Sequence, residues 1–138
     1  MLVGLVLVLG FVALRVSTAQ ATTAPTATIT IHKAECPTRV DGIFEACHDN
    51  GLGGVEFLIT DADGDQVITT DADGVAAAEV LAGEVEIAED PDVLANYLGA
   101  YVYCSEQNSG EVLIDTSLDG DNTVSGGIET GDDVICDW

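Results

Sequence analysis

The sequence predicts an all-β fold, a β-sandwich of about seven strands, and three observations carry that expectation. Apolar and polar positions alternate through short segments: Val55, Phe57 and Ile59 fall on one face, Glu56, Leu58 and Thr60 on the other, the period of a half-buried strand. Turn signals recur ten residues apart, where Asp61, Ala62, Asp63, Gly64 return as Asp71, Ala72, Asp73, Gly74. Each such turn offers an Asx hydrogen bond and a glycine that can take positive φ. Helical periodicity is confined to one short stretch, and short strands with regular turns indicate two packed sheets.

In chain order, Ile29, Ile31 and Lys33 share one face of a first strand, with Thr28, Thr30 and His32 on the other. A loop over 35–54 ends in Asp49, Asn50 and Gly51, a turn signal. Strands follow near 54–60, 65–70, 75–81 and 84–89. Asp90 and Pro91 suit the N-cap and first position of a short helix that Gly99 would end. Val93, Leu94, Tyr97 and Leu98 would give that helix one apolar stripe. A strand near 100–105, a short one over 111–114, a polar loop over 117–131 and a closing strand over 133–138 complete the reading.

The 138 residues suffice for one domain with a two-layer core. The run 2–14 is apolar but too short for an ordinary membrane span, and Ala19, Gln20, Ala21 form an A-x-A cleavage pattern. The expected organisation is a signal peptide over 1–21, a flexible linker over 22–28 and a sandwich domain over 29–138. Retention of the apolar run as a membrane anchor is the other reading of the same segment. Cleavage would leave 25 acids against Lys33 and Arg39, a net charge of −23 where the whole chain carries −22. Such a field repels nucleic acid and anionic lipid and attracts cations.

Four cysteines in a short exported domain imply two disulfides. The expected pairs are Cys36 with Cys47, closing a local loop, and Cys104 with Cys136, joining two strand-like segments. Each would contribute about 3 kcal/mol, largely by restricting the unfolded chain.

Thr70, Asp71, Ala72, Asp73 and Gly74, then Leu81, Ala82 and Gly83, then a strand ending in Glu89, resemble the T-D-x-D-G … L-x-x-G signature of prealbumin-like surface modules, with one residue fewer between the leucine and the glycine. These include the collagen-adhesin B-type repeat and the serine-aspartate-repeat B-like domain. The resemblance implies a Greek-key sandwich spanning most of 27–138. Ala76 and Ala78 stand where that family favours bulky residues, and Val85 stands where it favours tyrosine, which implies a thinner core. The family often joins a buried lysine to an Asn or Asp of the last strand through an isopeptide bond, with a glutamate shuttling protons. By strand parity Lys33 and Glu89 point inward here, whereas Asp137 points outward with Ile135. An ion pair between Lys33 and Glu89 near a strand end, buried or with the lysine snorkelling to solvent, is therefore expected rather than an amide to Asp137.

Asp61, Asp63 and Asp65 alternate as in a calcium loop, but Gln66 and Ala72 replace the glycine and glutamate that an EF-hand requires. A loose calcium site built from Asp61, Asp63, Asp65, Asp71 and Asp73 competes with plain turn chemistry, which is preferred. Zinc at His32, Cys36, Cys47 and His48 is disfavoured, because the spacing matches no compact zinc motif. No nucleophile–base pattern, P-loop or dinucleotide fingerprint occurs, so no enzyme is expected. The expected function is an exported, non-catalytic structural or adhesive unit, secreted or at the cell surface, with an extracellular protein or glycan as partner. A calcium-dependent binding module and a small secreted enzyme or inhibitor are the alternatives.

Overall fold

A computed structural model describes residues 24–36, 46–118 and 121–138. The expected signal peptide therefore lies outside the described residues, as does most of the loop between Cys36 and Cys47. Among the described residues nine strands form two sheets that pack as a sandwich: β1 (Thr26–His32), β2 (Glu56–Asp61), β3 (Gly64–Thr69), β4 (Val75–Leu81), β5 (Gly83–Glu89), β6 (Ala100–Glu106), β7 (Val112–Leu118), β8 (Thr123–Ile128) and β9 (Asp133–Asp137). One sheet has the order β4-β1-β9-β6-β7 and the other β3-β2-β5-β8. Alternation decides which side chains enter the space between them. Ile29, Ile31, Phe57, Ile59, Val80, Val102 and Val134 are buried there, and the intervening residues face outward.

Ile29 lies opposite Ala78 and Ile31 opposite Ala76 in the antiparallel pairing of β1 with β4. Large residues thus sit beside small ones on the inner face, which accommodates the alanines without a second bulky layer. β1 also pairs in parallel with β9, from Thr28 with Asp133 to His32 with Asp137. A parallel partner cannot come from a hairpin, so the pairing of β1 with β9 closes all of the intervening chain between them.

The structure departs from the sequence expectations at five places. β1 begins at Thr26, inside the stretch expected to be a flexible linker, because its ladder with β4 continues to Leu81. β7 runs on to Leu118 rather than stopping at Ile114. β8 occupies the segment expected to be a polar loop, which raises the strand count to nine. Its Ser125, Gly126 and Gly127 carry little strand preference, and pairing with β5 overrides that. The helix, α1 (Pro91–Leu94), is a single turn with no buried residue. Asn96 ends it by turning its side-chain amide onto the carbonyls of Asp92 (2.8 Å) and Val93 (3.3 Å). Leu98, expected in an apolar stripe, is 84 % exposed.

Candidate functional site

Lys33 follows β1 directly, and its backbone is held from two sides. Its N–H donates to Gly74 (2.7 Å) and its carbonyl accepts from Leu52 (2.8 Å). Gly74, at φ +80°, can have no other side chain: an added Cβ would lie 2.3 Å from the Lys33 oxygen. The second Asp-Ala-Asp-Gly turn is therefore a close-approach device that fixes Lys33. Thr70 braces the same loop, donating to Leu52 (2.9 Å) and accepting from the Val55 amide (2.9 Å).

From this position Lys33, 5 % exposed, reaches across the sandwich to Glu89, 1 % exposed at the end of β5, with Nζ 2.9 Å from Oε1. The contact lacks the alignment of a hydrogen bond, so the attraction there is between charges. The other oxygen, Oε2, accepts from the indole Nε1 of Trp138 at 2.8 Å. The Trp138 ring packs edge-on against Phe57, with centroids 5.1 Å apart, so the cluster ties both sheets together. On the outer side of the ammonium stands the Tyr97 ring, 5.5 Å from Nζ, within cation–π range. The Tyr97 hydroxyl donates to Glu35 (2.7 Å), and that bond, with burial, pushes its pKa up to about 12.

Asp137 is not part of this cluster. It lies on the outer face beside His32, with Nδ1 and Oδ1 3.4 Å apart. The register explains why: in the parallel ladder Ile31 meets Cys136 and His32 meets Asp137, so the next inward neighbour of Lys33 is Trp138. An indole cannot be attacked by an amine to form an amide. The intact mass of the protein should therefore show two disulfides and no further loss; a loss of about 18 Da that disappears in Lys33→Ala would overturn this.

The five turn aspartates do not form one ligand set. Asp61 and Asp63 lie at one end of β3 and Asp71 and Asp73 at the other, separated by about 20 Å of strand. Three of them serve the backbone or a neighbour. Asp61 accepts from Asp63 (2.8 Å) and Leu81 (2.7 Å), Asp71 from Asp73 (2.9 Å) and Val75 (3.0 Å), and Asp65 from the Thr60 hydroxyl (2.8 Å). The bonds from Leu81 and Asp63 hold the Asp61 pKa below the usual carboxylate value. Among the described residues no group of three or more His, Cys, Asp or Glu is placed to hold a metal ion. Calcium and sodium chloride at matched ionic strength should raise the melting temperature equally, and Asp63→Asn should leave both responses unchanged. A calcium-specific rise of several degrees, lost in that variant, would reinstate a site.

Cys36 and Cys47 are bonded to each other, as are Cys104 and Cys136, the latter pair directly opposite in the ladder of β6 with β9 and both buried. His48 lies beside Asp49 at 3.0 Å on the surface.

Sequence reasoning missed Glu106, a buried carboxylate at the end of β6. Its parity with Val102 and Cys104 was the available signal. It accepts from the Asn108 side chain (2.8 Å) and the Ser109 amide across the turn to β7. Bonds from Asn108 and Ser109 hold its pKa down to about 2, against an ordinary 4.5. The folded value is the lower one, so its stabilisation is complete above the unfolded value and is lost as pH falls from 4.5 through 2. The difference in urea midpoint between wild type and Glu106→Gln should be constant above pH 4.5 and vanish towards pH 2; a difference independent of pH would refute the assignment.

Comparison with protein-family models, characterised proteins and solved structures finds no match for this chain.

Proposed function

We propose that this chain is an exported, non-catalytic β-sandwich module that serves as a structural or adhesive unit at the cell surface. The observation that carries the reading is the use made of its buried polar groups. Between the sheets Glu89 faces the Lys33 ammonium with one oxygen and accepts from the Trp138 indole with the other, and Cys36 is bonded to Cys47 and Cys104 to Cys136. Chemistry of that kind holds a scaffold together and leaves recognition to the exposed faces. Two disulfides suit an oxidising compartment. No helix among the described residues is long and apolar enough to cross a membrane. The acidic surface disfavours nucleic acid and suits an extracellular protein or glycan partner.

Fractionation of the cells that encode it, with thiol trapping before lysis, tests the reading. The chain should appear in the medium or be released from intact cells by external protease, with all four cysteines oxidised. A cytosolic chain with free thiols would overturn it.

A further inference from the structure

The parallel pairing of β1 with β9 has a mechanical consequence. The chain enters β1 at the Thr26 end and leaves β9 at the Asp137 end, and in a parallel pair those are opposite ends of the sandwich. Tension applied along the chain therefore pulls the two strands past each other lengthwise. Their backbone contact extends beyond the strands themselves, from Gly131 N–H on the Thr26 carbonyl (2.9 Å) to Ala34 N–H on the Trp138 carbonyl (2.8 Å). In that direction the bonds are loaded together, whereas tension applied at one end of a ladder breaks them in turn. Neither strand can be peeled away, since the order β4-β1-β9-β6-β7 puts both inside the sheet and each must break two ladders to leave. At the Asp137 end, the bond from Trp138 to Glu89 fastens the departing chain to the second sheet.

We propose that this module carries tension: the pair β1 and β9 is a shear clamp that resists extension from the chain ends, and the disulfides limit how far the chain lengthens once the clamp fails. The source of the tension rests on the cell-surface reading above; the clamp itself rests on topology alone. The disulfides close sequence separations of 11 and 32 residues. Together they shield about 43 residues, or roughly 150 Å of extended chain, from the applied force.

The test is single-molecule extension of the full chain held in series between reference modules, in two loading geometries. One pulls from the two chain ends. The other pulls from the N-terminus and a ligation tag inserted at the turn between Ala82 and Gly83, which lies beside Pro25 at the Thr26 end and so unzips β1 from β4. Because the protein is the same, the ratio of rupture forces reports direction rather than stability. End-to-end loading should require at least about twofold more force, because forced unfolding is governed by the barrier along the pulled direction. Equal or lower force would overturn the clamp. If the tagged chain does not fold, a tag in the 107–110 turn, bonded through Gln107 to Asp133 at the same end, gives the second geometry with the same expected result. Reduction should lengthen the end-to-end extension by about 150 Å; an unchanged length would refute the shielding. A cytosolic chain would overturn the surface reading and leave the force ratio standing.

Discussion

Glu89→Leu is expected to lower the unfolding free energy by about 3–5 kcal/mol, because it leaves the Lys33 ammonium inside the sandwich with no counter-charge. The change also removes the acceptor of the Trp138 indole, and an orphaned buried donor costs about 1–3 kcal/mol on its own. Relief should come from removing the other charge: Lys33→Met with Glu89→Leu replaces the pair by apolar side chains of similar size, and such replacements are often close to neutral. The double variant should therefore regain the part of the loss that comes from the unpaired ammonium, keep the part that comes from the orphaned indole, and be more stable than Glu89→Leu alone. Trp138→Phe, which keeps the ring packing against Phe57 but deletes the donor, should cost less than Glu89→Leu. Urea unfolding of the four proteins of the cycle measures the coupling directly. A Glu89→Leu cost below about 1 kcal/mol, or a double variant no better than that single one, would mean that water reaches Lys33 and the pair is not truly buried.

The parts of this cluster that were legible in the sequence are those governed by parity. Ile29, Ile31 and Lys33 count along one strand face, and Val85, Ile87 and Glu89 along another. Because those faces are buried, a one-residue slip would move every isoleucine to the surface, so register is strongly held and counting suffices. The same counting put Asp137 outside. What it could not supply was distance across the sandwich. Trp138 shares the parity of Val134 and Cys136, which places it on the inner face, but nothing local says that its indole meets the carboxylate of a strand 49 residues away. Both Asp-Ala-Asp-Gly turns were legible as turns, since the Asx bonds from Asp63 and Asp73 are local. That they sit at opposite ends of β3, and that one of them closes onto Lys33, is decided by strand pairing. β8 is not legible because, of its inward positions 124, 126 and 128, only Val124 and Ile128 carry a side chain, and its existence depends on β5 beside it. α1 erred in the other direction: the apolar spacing was present, but Asn96 competes for the carbonyls that a longer helix would use.

Replacing Cys104 and Cys136 together by alanine should destabilise the protein by about 3–4 kcal/mol through the unfolded chain alone, since the bridge closes a loop of 32 residues. The same entropic argument gives about 2.5–3 kcal/mol for the pair Cys36 and Cys47, whose separation is 11. A second term widens the gap. Cys104 and Cys136 are buried in the core next to Val102 and Val134, so truncation also removes packed sulfur atoms and opens a void, whereas Cys36 is only half-buried. A third term acts on both: with 25 acids on 138 residues, repulsion favours an expanded unfolded chain, and a cross-link opposes that expansion most at low salt. The penalty for either double variant should therefore shrink as sodium chloride is raised, while the order of the two penalties stays the same. Urea midpoints at two salt concentrations decide the matter. If loss of the bridge between Cys36 and Cys47 proves the more costly, the stabilising role of the core disulfide between β6 and β9 is not the one given by loop length and burial.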